Sequence, residues 1–434
     1  MPFLTDLDSR AAIKGSRDPL GLQAVWTHFG RKVVGNLTTV SNSVRGFTTL
    51  LLGYYFAEQG RDLDGTGGES ILNAFLKFEQ LAAYTRLYVN HDRDFRGIDR
   101  VAKRLGDAPR VAISAEPRHQ ILSNQKIYGL WGLFSVPART SGLLEREDTV
   151  LTPGARAFVR EEYVTRLDRA GFKDGKAIVD VLRGQREDLH LEGRHKPLAR
   201  AVAGLFTTRL NAHERERYRH YLVYGGDRDS TRGRQRQLGE LLLAIPSEGL
   251  DLAVIRGLAR QARRRGHDWT GLAECLDDIV RIESLIAPAA NVFELVLARQ
   301  GLEVAEVAAD LRKQWGTRLG HLRVDELEVL GAEIAAALGD TADRWLAIAR
   351  GLAGGDYESV LRLLVEQNEA VMKARQGAAW VRLTRGRFEV RYREESAALV
   401  DGRNLRGLLR HSYFIDSLWQ VAVEVTEVEK REHA

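Results

Sequence analysis

Apolar residues recur at three- and four-residue steps along most of this chain, the period of a helix face rather than of a strand. Leu22, Val25, Trp26 and Phe29 share one face just after Asp18-Pro19, an N-cap residue followed by proline at the first helical position. Gly35-Asn36 breaks that run. A second helix is expected from Ser43, carrying Val44, Phe47, Leu51, Tyr54 and Tyr55. A third is expected from Ser70 to about Asn90, with Leu72, Phe75, Leu76, Leu81 and Tyr84 inward, after a loop over 62–70. Such a pattern restricts the chain to helix-on-helix packing, so the expected fold class is mainly α with small β elements.

With 434 residues, 44% of them apolar, the chain has material for several cores, and a multidomain helical protein is expected. The lone Cys275 excludes an intramolecular disulfide, a Cys-based zinc site and a Cys-x-x-Cys redox pair, and fits a reducing cytoplasm. The first 18 residues lack a basic start followed by an apolar core, so no signal peptide is expected. No apolar stretch approaches the roughly 18 residues of a membrane span, which makes a membrane partner unexpected. Lys and Arg total 64 against 59 Asp and Glu, a net charge of +5, and 53 of the 64 are Arg. That balance permits a nucleic-acid partner without requiring one.

Five segments are expected. Residues 1–106 read as an N-terminal helical domain and 107–165 as a winged-helix-like module. In the latter, RVAISAEPR holds a short strand with Val111 and Ile113, bounded by Pro109 and Pro117. A helix from about Asn124 to Ser135, a short second helix at 138–144 and a strand or hairpin at 147–151 follow. Thr152 then caps a closing helix with Pro153 at its first position. This is the cadence of a winged helix-turn-helix, with Arg139 and Arg146 as its basic residues, although a plain helix–strand–helix fits equally. Residues 166–287 form a basic helical region and 288–376 an acidic one, with Pro288 taken as the boundary. Between Glu303 and Asp343 acids outnumber bases. Leu327, Leu330, Ile334 and Leu338 mark one amphipathic helix, and 294–315 reads as a second helix-turn-helix or an ordinary helical hairpin. Residues 377–434 supply a C-terminal β-hairpin turning at Arg385-Gly386. Val381, Leu383, Phe388, Val390 and Tyr392 pack down, and Arg382, Arg387, Glu389 and Arg391 face outward. An apolar helix or strand over 412–427 follows.

Two arginine clusters stand out. The loop DRDSTRGR, with Arg236 just after it, places Arg228, Arg232, Arg234 and Arg236 against only Asp227 and Asp229. The run RGLARQARRRG carries Arg256, Arg260, Arg263, Arg264 and Arg265 with no acid among them. Arg256, Arg260 and Arg264 fall four residues apart, so one helix face aligns three guanidinium groups. Such a stripe tracks a phosphate backbone by releasing counterions; a solvated face in an Arg-rich chain is the plainer alternative. With Arg139, these residues (Arg265 excepted) are the candidate nucleic-acid contacts.

Catalytic machinery is not legible. There is no P-loop, nucleophile elbow or H-E-x-x-H helix, and the glycine-rich GTGGES lacks a preceding strand and a suitably placed lysine. Two His-Asp pairs, His91-Asp92 and His267-Asp268, occur. The first, with His28 before it and Asp94 or Asp99 after it, is the only candidate for a metal-dependent phosphohydrolase or nuclease. The pairs His190/His195 and His213/His220 read as satisfied histidines. No catalytic residue, metal site or cofactor is assigned.

Asp18, Leu20-Gly21 and Phe29 are followed by Gly35, Thr38 and Thr39, then by Arg45 and the aromatic Tyr54-Tyr55. The segment 18–56 that holds them resembles the start of an uncharacterised bacterial family found in phage-defence islands, often beside helicase and phospholipase D-like genes. The resemblance implies a context, a subunit of a multi-protein antiphage system, and no catalytic residue. The expected function is therefore a non-catalytic, DNA-associated component of such a complex, on duplex or single-stranded DNA. A protein-only scaffold or adaptor, docking through 303–343 and the hairpin, is the alternative. A cryptic metal-dependent phosphohydrolase or nuclease at His91 and Asp92 is the third reading.

Overall fold

The computed structural model describes residues 18–61, 68–106, 109–207, 209–245, 249–394 and 397–426. The N-terminal stretch read for a signal peptide, most of the 62–70 loop and the last eight residues lie outside the described residues. Helices dominate, with two small antiparallel sheets of two strands each, as the helical period predicts. No described helix is long and apolar enough to cross a membrane. Contacts sort the chain into two units, and each is discontinuous in sequence: Met1–Val33 with Pro246–Tyr413, and Val34–Ile245 with Phe414–Ala434.

In the first unit, the helix expected at Pro19 begins later, as Leu22–Arg31. Pro19 sits instead in a turn closed by Gly21 N donating to the Asp18 carbonyl, with Gly21 at φ 75, a conformation glycine adopts freely. Asp18 still caps: its carboxylate accepts from Leu22 N at 2.8 Å and Gln23 N at 3.0 Å. Leu22, Val25 and Phe29 are buried on a helix that packs against the long helix Thr270–Leu297. That helix runs through Pro288, the residue read as a domain boundary. An interior proline costs about 3 kcal/mol. Burying Leu285, Ile286, Val292 and Phe293 around it, at about 1.5–3 kcal/mol each, outweighs that cost.

The amphipathic helix expected over 327–338 is split at Leu330 into Val324–Val329 and Gly331–Leu338, yet Leu327, Leu330 and Ile334 remain buried as their spacing predicts. The hairpin forms as expected: Val381–Thr384 pairs with Arg387–Val390, Leu383 opposite Phe388. Arg385 (φ 53) and Gly386 (φ 80) supply the two positive φ angles of its tight turn. Residues 294–315 form no helix-turn-helix. After Leu297 the chain extends along the hairpin, Gly301 N donating to the Phe388 carbonyl and Phe388 N to the Leu302 carbonyl, before the helix Val304–Trp315.

In the second unit, Val44–Arg61 and Gly68–Asn90 pack side by side, burying Phe47, Leu51, Tyr54, Phe75, Leu81 and Tyr84. Gly53 allows the close approach, since a Cβ there would sit 2.7 Å from the Phe75 ring. The strand Arg110–Ser114 appears where expected, and its partner is the highly charged segment Arg186–His190. The short second helix expected at 138–144 is absent. Helices Gln125–Tyr128 and Leu130–Ser141 occur instead, the latter running through the buried Pro137. The strand expected at 147–151 reduces to a single bridge, Leu144 opposite Leu151. Thr152 caps Pro153–Val159 through Ala155 N, as its sequence predicts. The last element is the helix Ile415–Thr426, which packs on Arg219–Val223 and Arg234–Leu242.

Candidate nucleic-acid interface

The helix Leu252–Arg264 starts where the Asp251 carboxylate accepts from Val254 N at 2.7 Å. Leu252, Ile255, Leu258, Ala259 and Ala262 are buried and fix which side faces out. Arg256, Arg260 and Arg264 therefore share the outer face, spaced about 6 Å apart along the axis by the 1.5 Å helical rise. Arg260 and Arg264 are exposed and form no ion pair among the described residues. Arg256 is half-buried and donates through Nη1 to the Arg406 carbonyl at 2.8 Å. Burial pushes its guanidinium below the usual arginine range, and the positive charges of Arg406 and Arg260 push the same way, against Asp251. Arg406, from the turn Leu405–Gly407 that packs on this helix, is exposed and extends the basic face. It lies about 150 residues from the cluster, so no local pattern could have found it. Arg263 faces away from this role, ion-paired with Asp277. Arg265 stacks over the Trp269 ring at 4.6 Å.

The second-unit arginines are arranged differently. Arg228 is an internal strut: Nη1 donates to the carbonyls of Arg139 at 2.8 Å and Leu144 at 2.7 Å, and Nη2 reaches Glu145 at 3.2 Å. Arg139 and Arg228 are thus brought together, but by the backbone of one and the side chain of the other. Arg236 pairs with Glu240 at 3.2 Å and lies over the Tyr224 ring at 4.7 Å. Arg232 is exposed at φ 57, and Arg234 is half-buried. The loop is shaped by Asp229, whose carboxylate accepts from Thr231 N, the Thr231 hydroxyl and Gly233 N, all within 2.8 Å. Part of the loop read as a basic patch is therefore an internal joint, built on Arg228 and Asp229, while Arg232 and Arg236 stay exposed.

Other singled-out residues have partners within the fold. Asp92 ion-pairs with Arg86 at 2.7 Å and accepts from Asp94 N at 2.8 Å, while His91 takes φ 54 at the end of its helix. Among the described residues, no group of three or more His, Cys, Asp or Glu side chains is placed to hold a metal ion. The acidic 303–343 stretch meets bases of its own unit: Glu333 with Lys32, Glu326 with Arg281, Glu328 with Arg350 and Glu303 with Arg387. Comparison of the chain with protein-family models, with curated proteins and with solved structures finds no match.

Proposed function

We propose that this protein is a non-catalytic component that contacts the phosphates of DNA through the outer face of the helix Leu252–Arg264. The observation that carries the reading is the pair Arg260 and Arg264, exposed, aligned and without carboxylate partners among the described residues, flanked by the mutually repelling Arg256 and Arg406. A surface that crowds positive charge without acids gains from an anion laid along it. A DNA strand presents one charge per about 3.4 Å of helix axis, so a stripe stepping about 6 Å meets roughly every second phosphate. In the second unit, the helix Leu130–Ser141, the Leu144–Leu151 bridge and the helix Pro153–Val159 would act as a winged-helix-like orienting module. Membership of an antiphage complex rests on the resemblance at 18–56, and deletion of the gene followed by phage challenge tests that part.

Fluorescence anisotropy with a random duplex and a matching single strand, between about 50 and about 200 mM salt, tests the binding itself. The double variant Arg260→Ala/Arg264→Ala should lower the slope of log affinity against log salt by about 1.8 on duplex, roughly 0.9 per lost contact. An unchanged slope, or no binding at the lower salt, overturns the reading and leaves the protein-only adaptor.

A further inference from the structure

A cavity of about 300 Å³ opens in the second unit between the helices Val44–Arg61, Gly68–Asn90 and Leu130–Ser141 and the loop 93–96. That is the lower end of the range of small-molecule sites, which runs from about 300 to 1,000 Å³. Its wall is mixed: Ala82, Ala83, Phe95, Ile121, Leu130 and Phe134 are apolar, and Asn42, Ser43, Thr49 and Asp94 add polar groups. Two of its ionisable side chains are buried, Glu79 and Arg86. Glu79 is 4% exposed, and its two carboxylate oxygens accept from Leu130 N at 2.9 Å and from Gln125 Nε2 at 2.8 Å. Each oxygen keeps a further lone pair for a ligand donor. Burial lifts this carboxyl to about 7, against those hydrogen bonds and the charge of Arg96.

The rim has the opposite character. Arg93 and Arg96 both line the cavity, both are exposed, and neither forms an ion pair among the described residues. Arg86, by contrast, is locked. It ion-pairs with Asp92, donates to the Asp94 carbonyl at 3.0 Å and lies over the Phe95 ring at 5.1 Å. It thereby holds the loop that carries the two free arginines. A second cavity, of about 730 Å³, shares Ser43, Arg86 and Asp94 with the first and continues past His91 and Glu424. On that side burial and Asp94 push the Glu424 carboxyl up, while Arg45 and Arg86 push it down.

A partly apolar interior with a buried, hydrogen-bonding Glu79 carboxyl and two exposed guanidinium groups, unpaired among the described residues, selects a ligand with three parts. The inner part is a flat, largely apolar ring system; it carries an N–H donor; the outer part is an anion. We propose that this cavity binds a nucleotide, with the base inward against Phe134, its amino edge donating to Glu79, and the phosphate at the rim on Arg93 and Arg96. The site is built from the second unit alone and owes nothing to the arginine helix, so either proposal can fail without the other. The nucleotide has two sources, a free mononucleotide or an unpaired base presented by a strand. A base outside its stack is read by such a pocket at its hydrogen-bonding edge.

Isothermal titration calorimetry of the full chain with AMP, GMP and CMP, set against ribose 5-phosphate and inorganic phosphate, tests this. At least one mononucleotide should bind, and neither base-free probe should. Arg93→Ala/Arg96→Ala, both at the surface, should weaken that binding about tenfold or more while leaving the circular dichroism unchanged. Glu79→Gln should change the ranking of the bases rather than abolish the phosphate contribution. An oligonucleotide with one unpaired base forms the second arm: tighter binding there than to the free mononucleotide names the strand as the source, and weaker binding names the metabolite. Absence of binding in both arms, equal binding of ribose 5-phosphate, or an unaffected double-arginine variant overturns the proposal.

Discussion

Glu214 and Glu283 are both buried completely, one in each unit, and each gathers donors from distant stretches of chain; they differ in what meets their charge. Glu214 faces a guanidinium. Arg45 Nη1 donates to it at 2.7 Å, the Tyr163 hydroxyl donates at 2.9 Å, and Asn211 N completes a capping box at 3.0 Å. Burial opposes the Arg45 charge, but Glu214 and the hydroxyls of Tyr163 and Tyr218 raise it above the ordinary arginine range. Among the described residues, no arginine or lysine side chain sits on Glu283. It accepts from the backbone N–H groups of Arg410 at 2.6 Å and His411 at 3.0 Å and from the Tyr413 hydroxyl at 2.6 Å, with His411 Nδ1 at 3.0 Å. A charge matched by a charge is costly to break from one side, because the survivor stays buried and uncompensated. A charge matched by several dipoles loses them one at a time.

The largest effect should follow from Arg45→Ala, which strands Glu214. A loss of about 3–5 kcal/mol in urea unfolding is expected, and the double change Arg45→Met/Glu214→Leu should recover most of it. A loss below about 1 kcal/mol would show that water reaches the site. Next comes pH, through a carboxyl that has no such partner. Glu79 is raised by burial from 4.5 to about 7. Between those values the folded chain keeps a proton that the unfolded chain has lost. Stability should therefore be highest below about pH 4.5 as far as this group is concerned, and fall as pH rises to about 7, by on the order of 3 kcal/mol. Glu79→Gln should remove that contribution to the slope in unfolding curves taken across the window; an unaltered slope would mean Glu79 titrates normally. The smallest change is expected for Glu283→Gln, which turns an amide NH₂ toward donors. About 2 kcal/mol should be lost, with little dependence on salt above the range where His411 is protonated, because no arginine or lysine pair is broken.

The contrast between the two glutamates also marks how far sequence reasoning reached. The helix Val44–Arg61 was legible from Val44, Phe47 and Leu51, and the hairpin from its alternation around Arg385-Gly386, because both patterns are local. Thr152-Pro153 was legible for the same reason. Asp18 was recognised as a cap but placed one turn early, since the Gly21 turn that separates it from the helix leaves no mark in the apolar spacing. Pro288 misled because a proline's local cost is visible in sequence and the burial that offsets it is not. Of the candidate contacts, the outward alignment of Arg256, Arg260 and Arg264 follows from helical spacing alone. The inward use of Arg228 depends on the Arg139 and Leu144 carbonyls, more than 80 residues away. The Glu79 cavity had no sequence signature, because Ile121, Leu130 and Phe134, which close it over Glu79 and the following loop of Arg93 and Arg96, are brought there only by packing.

What the sequence determined by itself was the class of structure and the faces of its elements. Period and caps act over four residues or fewer, and a chain with this spacing buries the same stripe wherever its helices come to rest. Which elements share a unit was decided by the tertiary structure. The first described helix belongs with residues beyond 245, and the last belongs with residues before it. Apolar stripes are interchangeable as surfaces, so their periodicity names no partner. The pairing is set by side-chain shape and by polar groups such as Arg45 with Glu214, or Glu283 with Tyr413, that find their hydrogen bonds in one arrangement of the chain.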